Sequence, residues 1–364
     1  MSVLEHKEFR DHEQVVFCFD NSVGLRTIIA IHSTVLGPSL GGTRMWMYKT
    51  HDEALNDVLR LSRGMTYKAA VAGLKLGGGK AVIIADPNRD KSEALFRAYG
   101  RYVETLGGRY ITAEDVGTSV ADMQIVRKET KHVTGIDRAM GGGGDPSPLT
   151  ALGVYYGIKA CMKKATGSDS LKGKTMAVQG AGHVASYLCE YLAKEDAKIV
   201  VTDIFEEKAH EVVKKTGATY IAPEKIYDVD ADVFCPCALG AIVNDETVPR
   251  LKAMIIAGGA NNQLANEARH GQALREKGIL YAPDYVINAG GLINVYSEIN
   301  GYDREDTVRQ VQKIYDTLLH VFKTAERERI PTYEASNRIA EERLAQASHT
   351  ASSSPAAIVA GPAN

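Results

Sequence analysis

Lys80 follows three glycines, Gly77-Gly78-Gly79, and directly precedes the apolar run Ala81-Val82-Ile83-Ile84. An amine held against apolar segments loses its proton far more readily than in water. Burial and neighbouring cations bring such lysines from about 10.4 towards about 7–8, where they serve as general bases. Lys68, in Gly64-Met65-Thr66-Tyr67-Lys68, is a candidate neighbouring cation suited to binding a substrate carboxylate, whereas Lys75 reads as a solvated surface lysine. A P-loop would need glycine at 74 and Ser or Thr at 81; Leu74 and Ala81 stand there, so the NTPase reading fails. The stretch Ile111-Thr112-Ala113-Glu114-Asp115-Val116-Gly117-Thr118 puts two acids at the end of a strand, where α/β folds place their chemistry. Asp115 or Glu114 is a candidate proton shuttle to a bound amine. A plain helix cap at Asp115 is an equal alternative, although Thr118 or Ser119 would cap as well. Gly41-Gly42-Thr43-Arg44 reads as a glycine turn that lets the backbone approach a small ligand.

A second motif is Gly180-Ala181-Gly182-His183-Val184-Ala185, which fits G-x-G-x-x-[GA]. The hexapeptide alone is a weak signal. Its context is strong: Met176-Ala177-Val178 before it reads as a strand, and Val184, Leu188, Tyr191 and Leu192 repeat at helical spacing after it. A second strand, Ile199-Val200-Val201-Thr202, then ends in Asp203, 23 residues after Gly180, close to the ~20 of a Rossmann unit. Gly180 allows the tight turn, Gly182 the approach of a pyrophosphate to the helix N-terminus, and Ala185 close helix–strand packing. Asp203 would accept from ribose hydroxyls and repel a 2′-phosphate. With Ile204-Phe205-Glu206 and no arginine after it, NAD is favoured over NADP. A glycine-rich turn without a ligand is the weaker alternative.

The elements that must hold these residues can be read coarsely. Strands are expected at 15–19, 25–32, 81–85 and 109–112, with helices over 52–63 and from Ser92 as N-cap to Val103. Gly141 to Pro148, GGGGDPSP, is the strongest break and reads as a flexible crossover between domains. Beyond it, helices over 149–164, 184–194 and 206–215 alternate with strands at 174–179, 198–202 and near Val233, Ile255 and Leu280. That alternation argues for a parallel sheet covered on both faces. Two helices, 304–327 and 332–346, finish the fold, and residues 347–364 read as a mobile tail rich in Ala, Ser, Gly and Pro.

The whole is expected to be α/β: an N-terminal domain over 1–140 that binds substrate and mediates self-association, and a dinucleotide domain over 141–331, around a cleft. The helix at 332–346 is expected to pack back on the first domain. The length of 364 residues suits two domains. With 43 Lys+Arg against 45 Asp+Glu there is no basic excess for nucleic acid. No apolar run approaches the ~20 residues that span a membrane, and the first residues, MSVLEHKEFRDHEQ, are too polar for a signal peptide. Five cysteines, an odd number, argue against a disulfide framework and for the cytoplasm; Cys235 and Cys237 make a poor zinc pattern, so no metal is expected.

Taken together, Gly41-Gly42-Thr43-Arg44, Gly64 to Lys68, Gly77 to Lys80, Glu114 to Thr118 and Gly180-Ala181-Gly182 stand in the order and spacing of the glutamate/leucine/phenylalanine/valine dehydrogenases. Ala257-Gly258-Gly259-Ala260-Asn261-Asn262-Gln263 and Ala282-Pro283-Asp284-Tyr285-Val286-Ile287-Asn288-Ala289-Gly290-Gly291 complete a resemblance that covers roughly residues 10 to 345. The ending after Gln346 departs from the family's. The resemblance implies an NAD-dependent oxidative deaminase of L-amino acids, with 2-oxo acid and ammonia as products. It implies Lys68 on the substrate carboxylate, Lys80 as base and Asp115 as proton shuttle. Asn262 would touch substrate and nicotinamide ribose, and Thr150 and Asn261 the nicotinamide. Ala238 and Asn288 complete the implied cofactor contacts, and Gly42 and Met65 the substrate contacts. It also implies a homo-oligomer, an octamer in the leucine members.

Glutamate members resemble this chain but carry lysine where Leu40 stands. A distal carboxylate facing Leu40 would be buried unpaired, so the substrate side chain is expected to be apolar. Ala113 resembles the leucine members, Leu292 the phenylalanine group, and Val295 would line the same pocket. One methylene discriminates by only about 1–3 kcal/mol. Leucine is favoured, with valine and isoleucine as secondary substrates and phenylalanine as the alternative. A 2-hydroxy-acid dehydrogenase, which normally uses a histidine acid/base, and a non-catalytic NAD-binding regulator are the remaining rivals.

Overall fold

The computed structural model describes residues 3–137, 142–299 and 301–353. The first α/β unit comprises β1 (Gln14–Asp20), β2 (Leu25–Ser33), β3 (Ser39–Trp46), α1 (His51–Val71), β4 (Gly77–Ile84), α2 (Glu93–Glu104), β5 (Tyr110–Glu114) and α3 (Val120–Arg127). Its sheet runs β1-β2-β4-β3-β5, with β1, β2 and β4 antiparallel in turn and β3 parallel to both β4 and β5. α1 packs on one face through Val58 and Leu59 against Ile28, Ala30 and Val82; α2 covers the other, where Phe96 and Tyr99 meet Ile29, Ala81 and Ile83.

Three expectations change here. Gly41-Gly42 is no turn but lies within β3, and Gly77-Gly78-Gly79 belongs to β4, so Lys80 sits inside a central strand rather than at its edge. At Gly78 helix and strand nearly touch, and a Cβ there would collide with the Thr66 amide nitrogen of α1; one at Gly77 would meet the Ser33 carbonyl and one at Gly79 the Tyr110 ring. α1 also runs past Gly64 for two further turns and so carries Met65 and Lys68.

The second unit holds α4 (Ser147–Thr166), β6 (Thr175–Gln179), α5 (His183–Lys194), β7 (Lys198–Thr202), α6 (Glu206–Thr216), β8 (Thr219–Tyr220), β9 (Val233–Pro236), β10 (Ile255–Ile256), α7 (Glu267–Glu276) and β11 (Leu280–Tyr281). α8 (Asp284–Ile287), α9 (Gly290–Ile299), α10 (Arg304–Gln312), α11 (Ile314–Glu328) and α12 (Thr332–Ser353) follow. The sheet order is β11-β10-β9-β6-β7-β8, all parallel, with the order reversing at β6. That is the doubly wound arrangement whose ligands sit beyond the strand ends at the switch point.

The expected single helix over 304–327 is two, broken at Lys313. The last helix does not stop at 346 but runs to Ser353, since an Ala/Ser stretch keeps enough helix propensity to continue; the rest of the expected tail, from 354, lies outside the described residues, as does Gly141 of the crossover. α12 returns to the first unit: Arg343 donates to the carbonyls of Ala70 at 2.6 Å and Leu74 at 2.9 Å, and Tyr67 donates to Glu341 at 2.8 Å.

Candidate active site

Strand register assembles the first half of the site. In parallel pairing, Leu40 stands beside Gly78 and Ile111, and Gly42 beside Ala113. Side chains alternate along a strand, so Leu40, Gly42 and Arg44 of β3 share the α1-covered face with Lys80 of β4 and with Ala113 and Asp115 at the end of β5. Lys80 is 5% exposed. Its Nζ lies 3.1 Å from Asp115 Oδ1, and Arg44 Nε donates to Asp115 Oδ2 at 2.9 Å. Burial would push the Asp115 carboxyl up, but Lys80 and then Arg44 draw it below its ordinary value. Asp115 is not the cap of α3; Ser119 is, accepting from the Asp122 amide at 3.3 Å. Thr118 instead fastens the Asp115 backbone, accepting from its N–H at 2.9 Å.

Lys68 reaches the second unit. Its Nζ donates to Asn288 Oδ1 at 2.7 Å, and Asn288 Nδ2 donates to Asn261 Oδ1 at 2.7 Å and to the Gly259 carbonyl at 3.2 Å. Burial lowers the Lys68 amine to about 8; Asp284 opposes this and Lys80 adds to it. Asp284 is held by the Gln263 N–H at 2.8 Å and the Tyr285 N–H at 2.6 Å. Asn262 is exposed in the left-handed region at φ 51°, which Asn tolerates better than most residues. Leu40 and Leu292 are buried in one apolar cluster with Met65 and Val295 packed against it; Ala113 is 6% exposed. Thr150 is half-buried in the first turn of α4 and donates to the Pro146 carbonyl at 3.0 Å.

The glycine motif forms the turn between β6 and α5. Gly180 has φ 103°, and a Cβ there would lie 2.9 Å from the Cys237 carbonyl and 3.0 Å from the Ala238 nitrogen. Gly182 caps α5 without any side-chain hydrogen bond, and Gly182 and His183 are exposed, so the first amides of the helix face outward. Ala185 is fully buried and Val184 half-buried against Gly259. Asp203 accepts from the Ala181 N–H at 2.7 Å and the Phe205 N–H at 2.9 Å, which puts its carboxylate beside the turn. Exposed Ala238 lies on the neighbouring strand end. An uncapped helix start, a glycine that tolerates no side chain and a carboxylate beside it fit a dinucleotide.

Arg44 stands in a motif that shows no task for it in the sequence, and Asp57 and Tyr48 behind it carry no mark of one. The alternation of a strand through Gly42 and Arg44 would have been the signal, had the segment not been read as a turn. Glu298 carries no sign of a task in the sequence either: from α9 it accepts the Gly135 N–H at 2.9 Å, tying the second unit to the segment that precedes the crossover. Cys18, Cys161, Cys189, Cys235 and Cys237 are free thiols, and among the described residues no group of three His, Cys, Asp or Glu is placed to hold a metal. No described helix is long and apolar enough to cross a membrane.

Two α/β units, one a doubly wound dinucleotide sheet, with two lysines and an aspartate gathered where they meet, are the frame of a dehydrogenase. The profile of the Glu/Leu/Phe/Val dehydrogenase dimerisation domain matches residues 12–132, and that of the Glutamate/Leucine/Phenylalanine/Valine dehydrogenases matches 141–204 and 201–351. The chain belongs to the Glu/Leu/Phe/Val dehydrogenase family of amino-acid oxidoreductases. It is 58% identical to leucine dehydrogenase of Thermoactinomyces intermedius over 344 residues, 94% of each chain. It is 51% identical to phenylalanine dehydrogenase of Lysinibacillus sphaericus, covering 91% of this chain and 88% of that one. The crystal structure of L-tryptophan dehydrogenase from Nostoc punctiforme superposes with a TM-score of 0.83 at 50% identity, covering 93% of this chain and 97% of that one.

Proposed function

We propose that this chain catalyses the reversible NAD-dependent oxidative deamination of L-leucine, and more slowly of L-valine and L-isoleucine, to the 2-oxo acid, ammonia and NADH. The observation that carries the reading is Lys80 Nζ at 3.1 Å from Asp115 Oδ1, on the sheet face that also carries Leu40. Lys68 binds the substrate carboxylate. Leu40, Gly42, Met65, Ala113, Leu292 and Val295 surround the apolar side chain, and a lysine in place of Leu40 would be required for a second carboxylate. Bound NAD supplies the acceptor for hydride from Cα, leaving an imine. Lys80 takes a proton from the water that adds to the imino carbon. Asp115, which takes a proton from the substrate ammonium as the imine forms, returns it to the departing nitrogen and then accepts the carbinol hydroxyl proton as the carbonyl forms, so that ammonia leaves with the 2-oxo acid. Exclusion of water from the cleft strengthens both charge interactions.

Gly180, Ala181, Gly182, His183, Val184 and Ala185 hold the pyrophosphate, and Asp203 the adenosine ribose, which selects NAD. Thr150 and Asn261 hold the nicotinamide, Ala238 and Asn288 make further cofactor contacts, and Asn262 touches the nicotinamide ribose and the substrate. The domain boundary falls at residue 140/141. The protein acts in the cytoplasm as a homo-oligomer, an octamer. A panel of L-leucine, L-valine, L-isoleucine and L-phenylalanine with NAD, and reductive assays with and without ammonium, tests the reading. Leucine turnover and ammonium-dependent NADH oxidation are expected. Preference for phenylalanine would move the substrate within the family, and NADH oxidation without ammonium would sink the deaminase.

A further inference from the structure

Asp115 is held from two sides. Oδ1 faces Lys80, while Oδ2 accepts from Arg44 Nε at 2.9 Å. Arg44 is itself fixed: its Nη1 donates to Asp57 Oδ2 at 2.9 Å, and Tyr48 donates to the same oxygen at 2.6 Å. The Asp115 backbone is tied down as well, since Thr118 Oγ1 accepts its N–H and donates to the Thr43 carbonyl at 2.8 Å. The side chains of Arg44 and Asp57 are 23% and 15% exposed, so this chain of contacts is largely shielded from water.

A carboxylate that gives and takes a proton at one oxygen works best when the other oxygen is occupied. Rotation is then blocked and one lone-pair direction faces the reacting nitrogen. A guanidinium suits the second oxygen because it presents fixed donors and never surrenders its proton. We propose that Arg44, braced by Asp57 and Tyr48, is a positioning residue for deamination: it fixes Asp115 with Oδ1 towards Lys80 and keeps that oxygen ready to accept a proton. This rests on the reading of Lys80 and Asp115 as the proton-transfer pair.

The charged and titratable groups around Asp115 are Lys80 from β4, Arg44 from β3, Lys68 from α1, the adjacent Glu114, and Tyr48 beyond β3. Burial and Glu114 favour the protonated carboxyl; the three cations oppose them. Without Arg44 the balance shifts towards the proton, and less Asp115 is ionised on the acid side. A cavity of about 640 Å³ lined by Arg44, Trp46, Tyr48 and Asp57 opens on the outer side, so water can fill the space left by a shorter side chain.

The experiment compares Arg44→Met, Arg44→Lys and Asp57→Asn with the wild-type enzyme in kcat, KM for leucine, NADH affinity and the pH profile of kcat/KM, each normalised to folded protein. For Arg44→Met, kcat is expected to fall about a hundredfold, as for a misplaced catalytic group, while KM and NADH affinity change little. The acid limb of its profile should move up by about one pH unit or more. Asp57→Asn should lower kcat by less, because Arg44 loses its brace but keeps its charge, and its acid limb should not move up, since an anion near Asp115 has been removed. Arg44→Lys should restore the acid limb but not the full kcat, because a point charge lacks the guanidinium's fixed geometry. An Arg44→Met enzyme with the wild-type acid limb and kcat overturns the assignment of Arg44 alone. A wild-type enzyme inactive on every amino acid overturns the deaminase reading and the assignment with it.

Discussion

Lys68 of α1 and Asn288, just beyond α8, meet across the two units, with Nζ donating to Oδ1 at 2.7 Å. This contact joins the expected carboxylate-binding residue to an expected cofactor contact, and Asn288 in turn donates to Asn261, the residue expected at the nicotinamide. A substrate carboxylate at Lys68 would compete with the Asn288 oxygen and free that amide group to reorient.

Lys68→Met should therefore raise KM for leucine far more than it lowers kcat, since it removes a charge-assisted contact worth about 1.5–3 kcal/mol. The pH dependence has a defined sign. The Lys68 amine titrates near 8 in the free site, and a carboxylate favours its charged form. Above about pH 8 the free enzyme loses the proton that binding requires, so KM should climb with pH there and level off below. Steady-state KM between pH 7 and 10 checks this; a flat profile would remove Lys68 from the carboxylate site.

Lys80→Ala should abolish deamination, with a loss of at least the factor of about 10²–10⁴ typical of acid–base groups, yet leave NADH binding intact. The variant's cradle, Gly180 to Ala185, lies in the other unit and makes no use of Lys80. Fluorescence titration with NADH beside a turnover assay separates the two effects. Unchanged turnover would refute the assignment of Lys80.

Ala113 is packed beside Gly42 with 6% exposure, so its methyl group occupies space next to the apolar lining. Ala113→Gly should raise the ratio of kcat/KM for phenylalanine over leucine by about tenfold, the scale of one methylene in a pocket. The same change removes strand propensity, and a lower Tm is expected alongside. A ratio unmoved by the substitution would place the side-chain pocket elsewhere.

Some of this was legible in the residues and some was not, for local reasons. The turn from β6 to α5 follows from neighbours in sequence: a strand, three fixed small residues and an amphipathic helix, which is why the dinucleotide motif could be read directly. Gly41-Gly42 could not, because glycine pairs punctuate most chains and lie inside a strand only when something distant crowds them. Here Gly79 of β4 crowds Gly41, and the Glu114 carbonyl and Asp115 side chain crowd Gly42. For the same reason Lys80 is legible as a reactive amine from its neighbours, but not as a residue inside β4 rather than just before it. Asp57 carries no local sign of its task, since its partner Arg44 lies 13 residues away across a strand–helix connection. The break at Lys313 has neither glycine nor proline to mark it.

Asp203 commits both oxygens to backbone amides, Ala181 and Phe205, and so shapes the turn that it would also serve as a ribose acceptor. Asp203→Ala removes the acceptor expected for the ribose hydroxyls, one or two hydrogen bonds at about 0.5–1.5 kcal/mol each, so the NADH dissociation constant should rise roughly tenfold. Discrimination against NADPH should shrink at the same time, because the charge that repels a 2′-phosphate is gone. Titrations with both cofactors give the ratio. Equal losses for both would make Asp203 purely structural.

Acid should weaken the first unit through two imidazoles. His12 and His32 meet edge to face at 4.8 Å between ring centres, beneath α1. His12 bonds to the Leu59 carbonyl and the Ser62 hydroxyl at 3.0 Å, and His32 to Thr66 at 2.9 Å. Burial, then the charges of His12 and Arg63, lower His32 from 6.5 to about 4. The unfolded chain takes up this proton near 6.5, whereas the folded one resists it until about 4. Stability is thus unaffected above 6.5 and falls as the pH drops through that window, by about 3 kcal/mol at most at 1.36 kcal/mol per pH unit. Urea unfolding at pH 7.5 and pH 5 should show this loss, and His32→Asn should reduce it. An identical pH slope in that variant would assign the acid sensitivity to other groups.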